Sequence, residues 1–262
     1  TSDLEAGKRY GIPVIGTAAH AFTLLHDSER QAFDAQIASL GPNTTLLVDT
    51  YNVTEGVKTA VEAARAAGGE LGAVRLDSGD LVAQAFTVRG QLDALGATST
   101  KITVTSDLDE YAIAALGAAP VDSYGVGTRL ITGSGVPTAA LVYKLVSRED
   151  NDGNMVGVAK KSASKNTVAG KKYAGRLYDE DGYASEEILF TGSAEEATVF
   201  FEENGARPLQ VPLIVDGEIQ SEAWSSQALS EAQAHHLRSR NELPYQAWRL
   251  SEGEPAIPTR YI

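Results

Sequence analysis

GAVRLDSGDLVAQAFTVRGQLDALG, residues 72–96, contains one complete unit of the pattern that decides the fold. Residues 73–76 form an apolar run broken only by Arg75. The run is too short for a helix and reads as a buried parallel strand. After a polar turn, the apolar residues Leu81, Ala85, Val88, Leu92 and Leu95 step by 4, 3, 4 and 3, which is one face of a helix. Gly96 follows as its C-terminal cap. The same alternation extends in both directions. Strands are expected over 12–15, 45–48, 101–105 and 121–124, and helices over 18–40, 55–67 and 108–116. Strand–helix repetition through short loops implies a parallel sheet, either open or closed into a barrel. Five strands fall short of the eight of a complete barrel, so the expectation is an irregular barrel or missing chain.

Past Val146 the texture changes. Runs at 156–161, 172–178, 187–191 and 209–215 are separated by the turn signals Asn151-Asp152-Gly153, Asp181-Gly182 and Asp216-Gly217. That is hairpin chemistry and predicts an antiparallel lobe. Residues 226–241 read as a helix, and Pro244, Pro255 and Pro258 mark an irregular tail. The resulting division is a parallel α/β portion over 1–147, an antiparallel β lobe over 148–217, and a helix with tail over 218–262.

The 262 residues are 43% hydrophobic and 22% charged, a globular composition with no need of covalent staples. Without cysteine, disulfides, zinc-thiolate sites and thiol catalysis are excluded. A formal charge of −13 suits neither nucleic acid nor an anionic membrane. No apolar run approaches the roughly 18 residues of a membrane span, and no leader is visible. The reading is a cytoplasmic protein. Its first residue is Thr1 and its sole methionine is Met155, which suggests a processed or truncated piece of a longer chain.

Ligands of parallel α/β folds sit beyond the carboxyl ends of the strands. Here those ends read GTAAH (16–20), DTYN (49–52), DSGD (77–80), SDLDE (106–110) and GVGTR (125–129). Gly125 and Gly127 let backbone N–H groups approach an anion and Thr128 adds a hydroxyl, although a tight turn needing glycine for positive φ gives the same pattern. Asp77 and Asp80 bracket Ser78 and Gly79 and suit ribose hydroxyls or a hydrated Mg²⁺. Asp80 taken singly reads as a helix cap, while Asp77 stands too early to cap. Arg75 requires an anionic partner: Asp49, Asp107 or a ligand. Within 106–110, Ser106 and Asp109 read as a capping box, leaving Asp107 as the ligand candidate. Of the four histidines, His235 and His236 read as surface, and His20 and His26 are wrongly spaced for a metal pair. His20 alone is placed for chemistry.

Together, GIPVIGTAAHAF (11–22), LLVDTYN (46–52), VRLDSGDL (74–81), KITVTSDLDE (101–110), DSYGVGTRL (122–130) and LVYKLV (141–146) resemble the nicotinate phosphoribosyltransferase family. Weaker echoes lie at 160–172, 208–217 and 253–260. The resemblance implies a type II phosphoribosyltransferase: an irregular parallel α/β barrel with an additional antiparallel β lobe. It would join nicotinate to 5-phosphoribosyl 1-pyrophosphate, with ATP hydrolysis coupled through a phosphohistidine. On the matching positions, His20 is the phosphorylated histidine and Thr17 and Arg75 bind nicotinate. Asp77, Ser78, Gly79, Asp107, Gly125, Gly127 and Thr128 bind the phosphoribosyl pyrophosphate. Asp77 and Asp107 are the Mg²⁺ candidates, and Lys144 is placed toward the phosphates. Members act as homodimers with shared sites and have a longer N-terminal region that stacks an aromatic on the pyridine. Two departures stand out: Asp3 follows Thr1-Ser2 where the family typically has Asn, and Ala169 stands where it often has Pro. The alternatives are a nicotinamide or quinolinate phosphoribosyltransferase, or a non-catalytic fragment. A generic sugar-phosphate barrel lyase or isomerase would want Lys or Glu at a strand end.

Overall fold

The structure, a computed structural model, describes residues 1–136, 138–139, 141–161, 167–220 and 226–262, so 162–166 of the echo at 160–172 lie outside it. The chain divides into two compact units. One comprises Val14–Ala140 with Ser2; the other comprises Leu141–Ile262 with Thr1 and Asp3–Pro13. The sequence division placed the boundary at 147 and kept 218–262 apart, whereas here the C-terminal helix and tail share a unit with the lobe. That unit also takes in helix α1 (Leu4–Tyr10), which contacts the C-terminal helix.

The Val14–Ala140 unit runs α2 (His20–Leu24), α3 (Glu29–Leu40), β1 (Thr45–Leu47), α4 (Val53–Ala66), β2 (Ala73–Leu76), α5 (Leu81–Ala94), β3 (Lys101–Val104), α6 (Glu110–Leu116), β4 (Ser123–Tyr124) and α7 (Thr128–Thr132). Its four strands are all parallel, in the order β1-β2-β3-β4. Among the described residues this sheet is open, and the expected barrel closure is not seen. Residues 12–15 form no strand: Pro13 lacks a ladder donor, and Val14 and Ile15 are exposed. The window 18–40 breaks at 25–28, where the Ser28 side chain accepts from Gln31 N and starts a new helix. Asp80 caps α5, as read from the sequence. Ser106 does not cap α6; Asp109 does so itself, accepting from Ala112 N at 2.9 Å.

The two faces of the sheet differ. Leu46, Val74, Leu76, Ile102 and Val104 are fully buried with Val57, Ala60 and Val61 of α4 and Val88 and Leu92 of α5. Each large side chain so buried contributes about 1.5–3 kcal/mol. Gly56 lets α4 close onto β1, because a Cβ there would lie 2.3 Å from the Val48 carbonyl oxygen. The other face carries Thr45, Arg75, Thr103 and Ser123 into a cavity.

In the second unit, β5 (Ser147–Glu149) and β6 (Met155–Gly157) form a hairpin about Asn151-Asp152-Gly153. Next, β7 (Lys172–Tyr178) and β8 (Ala184–Thr191) form a second about Asp181-Gly182, and helix α8 (Ala194–Glu203) follows. Then β9 (Arg207–Pro208) pairs with β7, and β10 (Ile214–Val215) pairs with β11 (Glu218–Ile219) about Asp216-Gly217. The run 209–215 is therefore not one strand; Pro212 interrupts it. Helix α9 spans Ser226–Asn241, as expected. The tail is more regular than its prolines suggested. It ends in β12 (Thr259–Tyr261), which joins β8 in parallel and makes that sheet mixed. Among the described residues no helix is long and apolar enough to cross a membrane.

Candidate active site

The register of β2, β3 and β4 sets Arg75, Thr103 and Ser123 side by side. They open onto a cavity of about 910 Å³ at the carboxyl ends of the strands. Thr17, Arg75, Asp77, Asp107, Gly125, Gly127 and Thr128 all line it, although they come from β2 and its end, the ends of β3 and β4 and the segment before α2. Arg75 is the one cationic side chain in that lining, and its side chain is 19% exposed. Its partner is neither Asp49 nor Asp107 but Asp77, two residues on: Nη2 donates to Asp77 Oδ1 at 2.7 Å. Nη1 donates to Thr17 Oγ1 at 2.6 Å, and Nε donates to Thr105 Oγ1 at 2.7 Å. Thr105 in turn donates its hydroxyl hydrogen to Asp77 Oδ1. Burial pushes the Asp77 carboxyl up. The hydrogen bonds from Thr105 and Arg75 and the charges of Arg75 and His20 outweigh that push and hold it below the usual carboxylate range.

His20, the first residue of α2, stands beside this network, outside the cavity lining. Its Nδ1 is 3.1 Å from Thr50 Oγ1, and its Nε2 faces Asp49 Oδ1 at 3.8 Å and Asp77 Oδ2 at 3.7 Å. Asp49 is nearly inaccessible, 3% exposed. Its Oδ2 accepts from Asp77 N and Ser78 Oγ, while Oδ1 is buried without a hydrogen bond. Ser78 and Gly79 thus belong to the turn held by Asp49 and do not line the cavity. Behind them, burial, with the charge of Asp49 second, pushes Glu29 up to about 7. As a first-turn acid of α3, Glu29 carries no sequence signal of burial.

Neither Gly125 nor Gly127 has positive φ, so a strained turn is not what places glycine there. A Cβ on Gly125 would meet Thr105 Cγ2 at 2.4 Å, and one on Gly127 would meet open space. Asp107 Oδ2 accepts from Arg129 Nε at 3.1 Å, an exposed pair that adds a cation beyond those expected. Ser106, between Thr105 and Asp107, has φ 147°, a sparsely populated conformation for a non-glycine residue. Lys144 is described within its own unit, the one containing Leu141–Ile262. There it lines a cavity of about 720 Å³ with Lys171 and Tyr173. His235 and His236 are exposed on α9, and among the described residues no three His, Cys, Asp or Glu side chains gather as a metal site.

No family model matches the chain. Its sequence is 50% identical over 270 residues to the nicotinate phosphoribosyltransferase pncB1 of Mycobacterium tuberculosis, covering all of this chain and 57% of that protein. The chain belongs to the nicotinate phosphoribosyltransferase family. Nicotinate phosphoribosyltransferase of Bacillus subtilis is 40% identical over 193 residues, 71% of this chain and 39% of that protein. The chain therefore spans between 39% and 57% of the length of these two relatives. The crystal structure of human nicotinic acid phosphoribosyltransferase superposes with a TM-score of 0.68 at 21% identity, covering 100% of this chain and 62% of that one. Nicotinate-nucleotide pyrophosphorylase from Pyrococcus furiosus gives 0.63 at 22% identity, covering 92% and 58%. These two likenesses show the mixed α/β fold.

Proposed function

We propose that the protein joins nicotinate to 5-phosphoribosyl 1-pyrophosphate, giving nicotinate mononucleotide and pyrophosphate, with ATP hydrolysis coupled through His20. The observation that carries this reading is the convergence of Thr17, Arg75, Asp77, Asp107, Gly125, Gly127 and Thr128 on one cavity, in a chain half identical to a protein of that name.

In this reading Arg75 and the Thr17 hydroxyl take the nicotinate carboxylate, since a guanidinium offers a carboxylate parallel N–H donors. A single cation in the lining suits one carboxylate and favours nicotinate over quinolinate, which has two. The amides of Gly125 and Gly127 and the Thr128 hydroxyl hold the 5-phosphate, with Arg129 adding positive charge nearby. Asp77, next to the Ser78-Gly79 turn, and Asp107 stand by the ribose. Two carboxylates on one cavity, completed by phosphate oxygens, fit Mg²⁺, which takes few protein ligands and keeps its waters. Those two residues would hold the ion, which when bound neutralises charge on the pyrophosphate.

As the pyridine nitrogen bonds to C1 of the ribose, the C1–O bond to pyrophosphate breaks and the sugar gains positive charge. Asp77, kept ionised by Arg75 and Thr105, is fixed in place to stabilise that charge. The pyridine nitrogen is already nucleophilic, so no side chain removes a proton. At His20, two carboxylates facing Nε2 favour the tautomer with its hydrogen there, leaving the Nδ1 lone pair to take the γ-phosphoryl group as ADP departs. Hydrolysis of that N–P bond returns the imidazole and releases phosphate. The working molecule in this reading is a cytoplasmic homodimer, its parallel sheet forming part of an irregular barrel.

The test is nicotinate mononucleotide formation with and without ATP, beside nicotinamide and quinolinate controls. Product from nicotinate alone, stimulated by ATP, is expected. Turnover of another pyridine in its place overturns the substrate, and ATP stimulation that survives His20→Ala overturns the phosphohistidine.

A further inference from the structure

We propose that Thr105 is a positioning residue that sets both ends of this cavity, its hydroxyl fixing Arg75 and its methyl group fixing the Gly125 loop. The inference rests on the reading of the cavity as a nicotinate and phosphoribosyl site.

Thr105 lies one residue past β3, where its backbone N–H still bonds to Leu76 O at 2.9 Å and ties it to the ladder. From that anchored position its two branches meet different residues of the cavity. Oγ1 accepts from Arg75 Nε at 2.7 Å and donates to Asp77 Oδ1, so the hydroxyl works as donor and acceptor at once. With Nη1 on Thr17 and Nη2 on Asp77, each nitrogen of the guanidinium then has a fixed partner. Without the hydroxyl, Nε of a largely buried arginine loses its partner, and the planar group loses one of its three constraints.

Cγ2 acts on the other side. It occupies the space into which a side chain at 125 would project, 2.4 Å from where a Cβ would stand. The backbone at 125 does not itself demand glycine. What demands it is the threonine methyl, against which the loop backbone lies directly. The first residue of the Gly125-Val126-Gly127 loop is thereby seated on the same side chain that orients Arg75. Serine retains the hydroxyl without the methyl and valine the methyl without the hydroxyl, so the two roles can be separated.

The experiment compares Thr105→Val, Thr105→Ser, Gly125→Ala and the double variant Thr105→Ser/Gly125→Ala. The readouts are KM for each substrate, the thermal midpoint, and the Arg75 Nε–H resonance in ¹H–¹⁵N spectra. Thr105→Val is expected to lose the slowly exchanging Nε–H signal and to raise the nicotinate KM about tenfold, with the phosphoribosyl pyrophosphate KM moving far less, as for one lost hydrogen bond to a charged group. Thr105→Ser keeps the signal and the nicotinate KM but, lacking the methyl that seats the loop, raises the phosphoribosyl pyrophosphate KM. Gly125→Ala lowers the thermal midpoint and raises the phosphoribosyl pyrophosphate KM, and in the double variant the alanine Cβ takes the place of the lost methyl and recovers both. An unchanged Nε–H signal and nicotinate KM in Thr105→Val, or no recovery in the double variant, overturns the proposal. If the unmodified protein does not turn over nicotinate while the resonance and midpoint pattern holds, the substrate reading fails and the positioning role stands.

Discussion

In the Val14–Ala140 unit, one continuous core runs from Phe33 to Leu116 beneath a single face of the sheet. In the unit containing Leu141–Ile262, the buried cluster among the described residues is Ile188, Ala197, Phe201 and Ala206, with Tyr173, Leu177, Phe190 and Phe200 against it. The second unit compensates with charge. Arg207 donates to both Tyr178 Oη at 2.6 Å and Glu242 Oε2 at 2.5 Å, and Arg176 donates to Glu187 at 2.7 Å. The difference shows what a site requires. A unit with an ample apolar core on one face can hold an arginine, an aspartate and several hydroxyls on the other. A unit whose own sheet is joined by ion pairs uses its polar groups for cohesion.

Four substitutions sharpen or break that contrast. Ile102→Ala empties a fully buried site in the larger core and is expected to cost about 2–5 kcal/mol. Hydrogen exchange at the amides of β1–β3 reads it, and a cost below about 1 kcal/mol would break the comparison. Glu242→Ala follows, at about 1–3 kcal/mol, because it strands the donors of Arg207 and Tyr178. Burial pushes Glu242 up, but hydrogen bonds from Arg207 and Tyr178 and the charges of both arginines pull it below its ordinary value. Its contribution is therefore present above the unfolded pKa and disappears as pH falls through the folded one. Urea midpoints of the wild type and Glu242→Ala should converge in acid.

Glu29 carries the opposite sign. Its carboxyl titrates near 7 when folded against an ordinary 4.5, so between those values the folded state binds more protons and stability falls as pH rises. Glu29→Gln should gain on the wild type at pH 8 and match it at pH 4; an equal difference at both pH values contradicts the assignment. Thr105→Val keeps the shape of the side chain but strands Arg75 Nε, and it is read in nicotinate KM and the Nε–H resonance rather than in the thermal midpoint.

Much of this was legible in the chain itself. The bounds of β2, β7 and α9, the three Asp-Gly or Asn-Asp-Gly hairpins and the Asp80 cap follow from local chemistry, and local chemistry is what a sequence displays. The need of Arg75 for an anion was readable, but its identity was not. Asp77 lies only two residues further on and meets Arg75 directly, while Thr105, just past the next strand, bonds to both. Thr105 reads as a β-branched strand residue, and Glu29 as an acid that complements a helix dipole. Both acquire their roles from tertiary neighbours. The strand expected at 12–15 failed on Pro13, and the cap expected at Ser106 moved to Asp109, which lies one residue before the helix.

The most direct test of the account is where the substrates bind. Nicotinate and 5-phosphoribosyl 1-pyrophosphate would be titrated into isotopically labelled protein while backbone amides are followed by NMR. The account predicts saturable shifts at Thr17, Arg75, Asp77, Thr105, Gly125, Gly127 and Thr128, the residues gathered at the strand ends. Saturable binding that leaves those amides unmoved would contradict it.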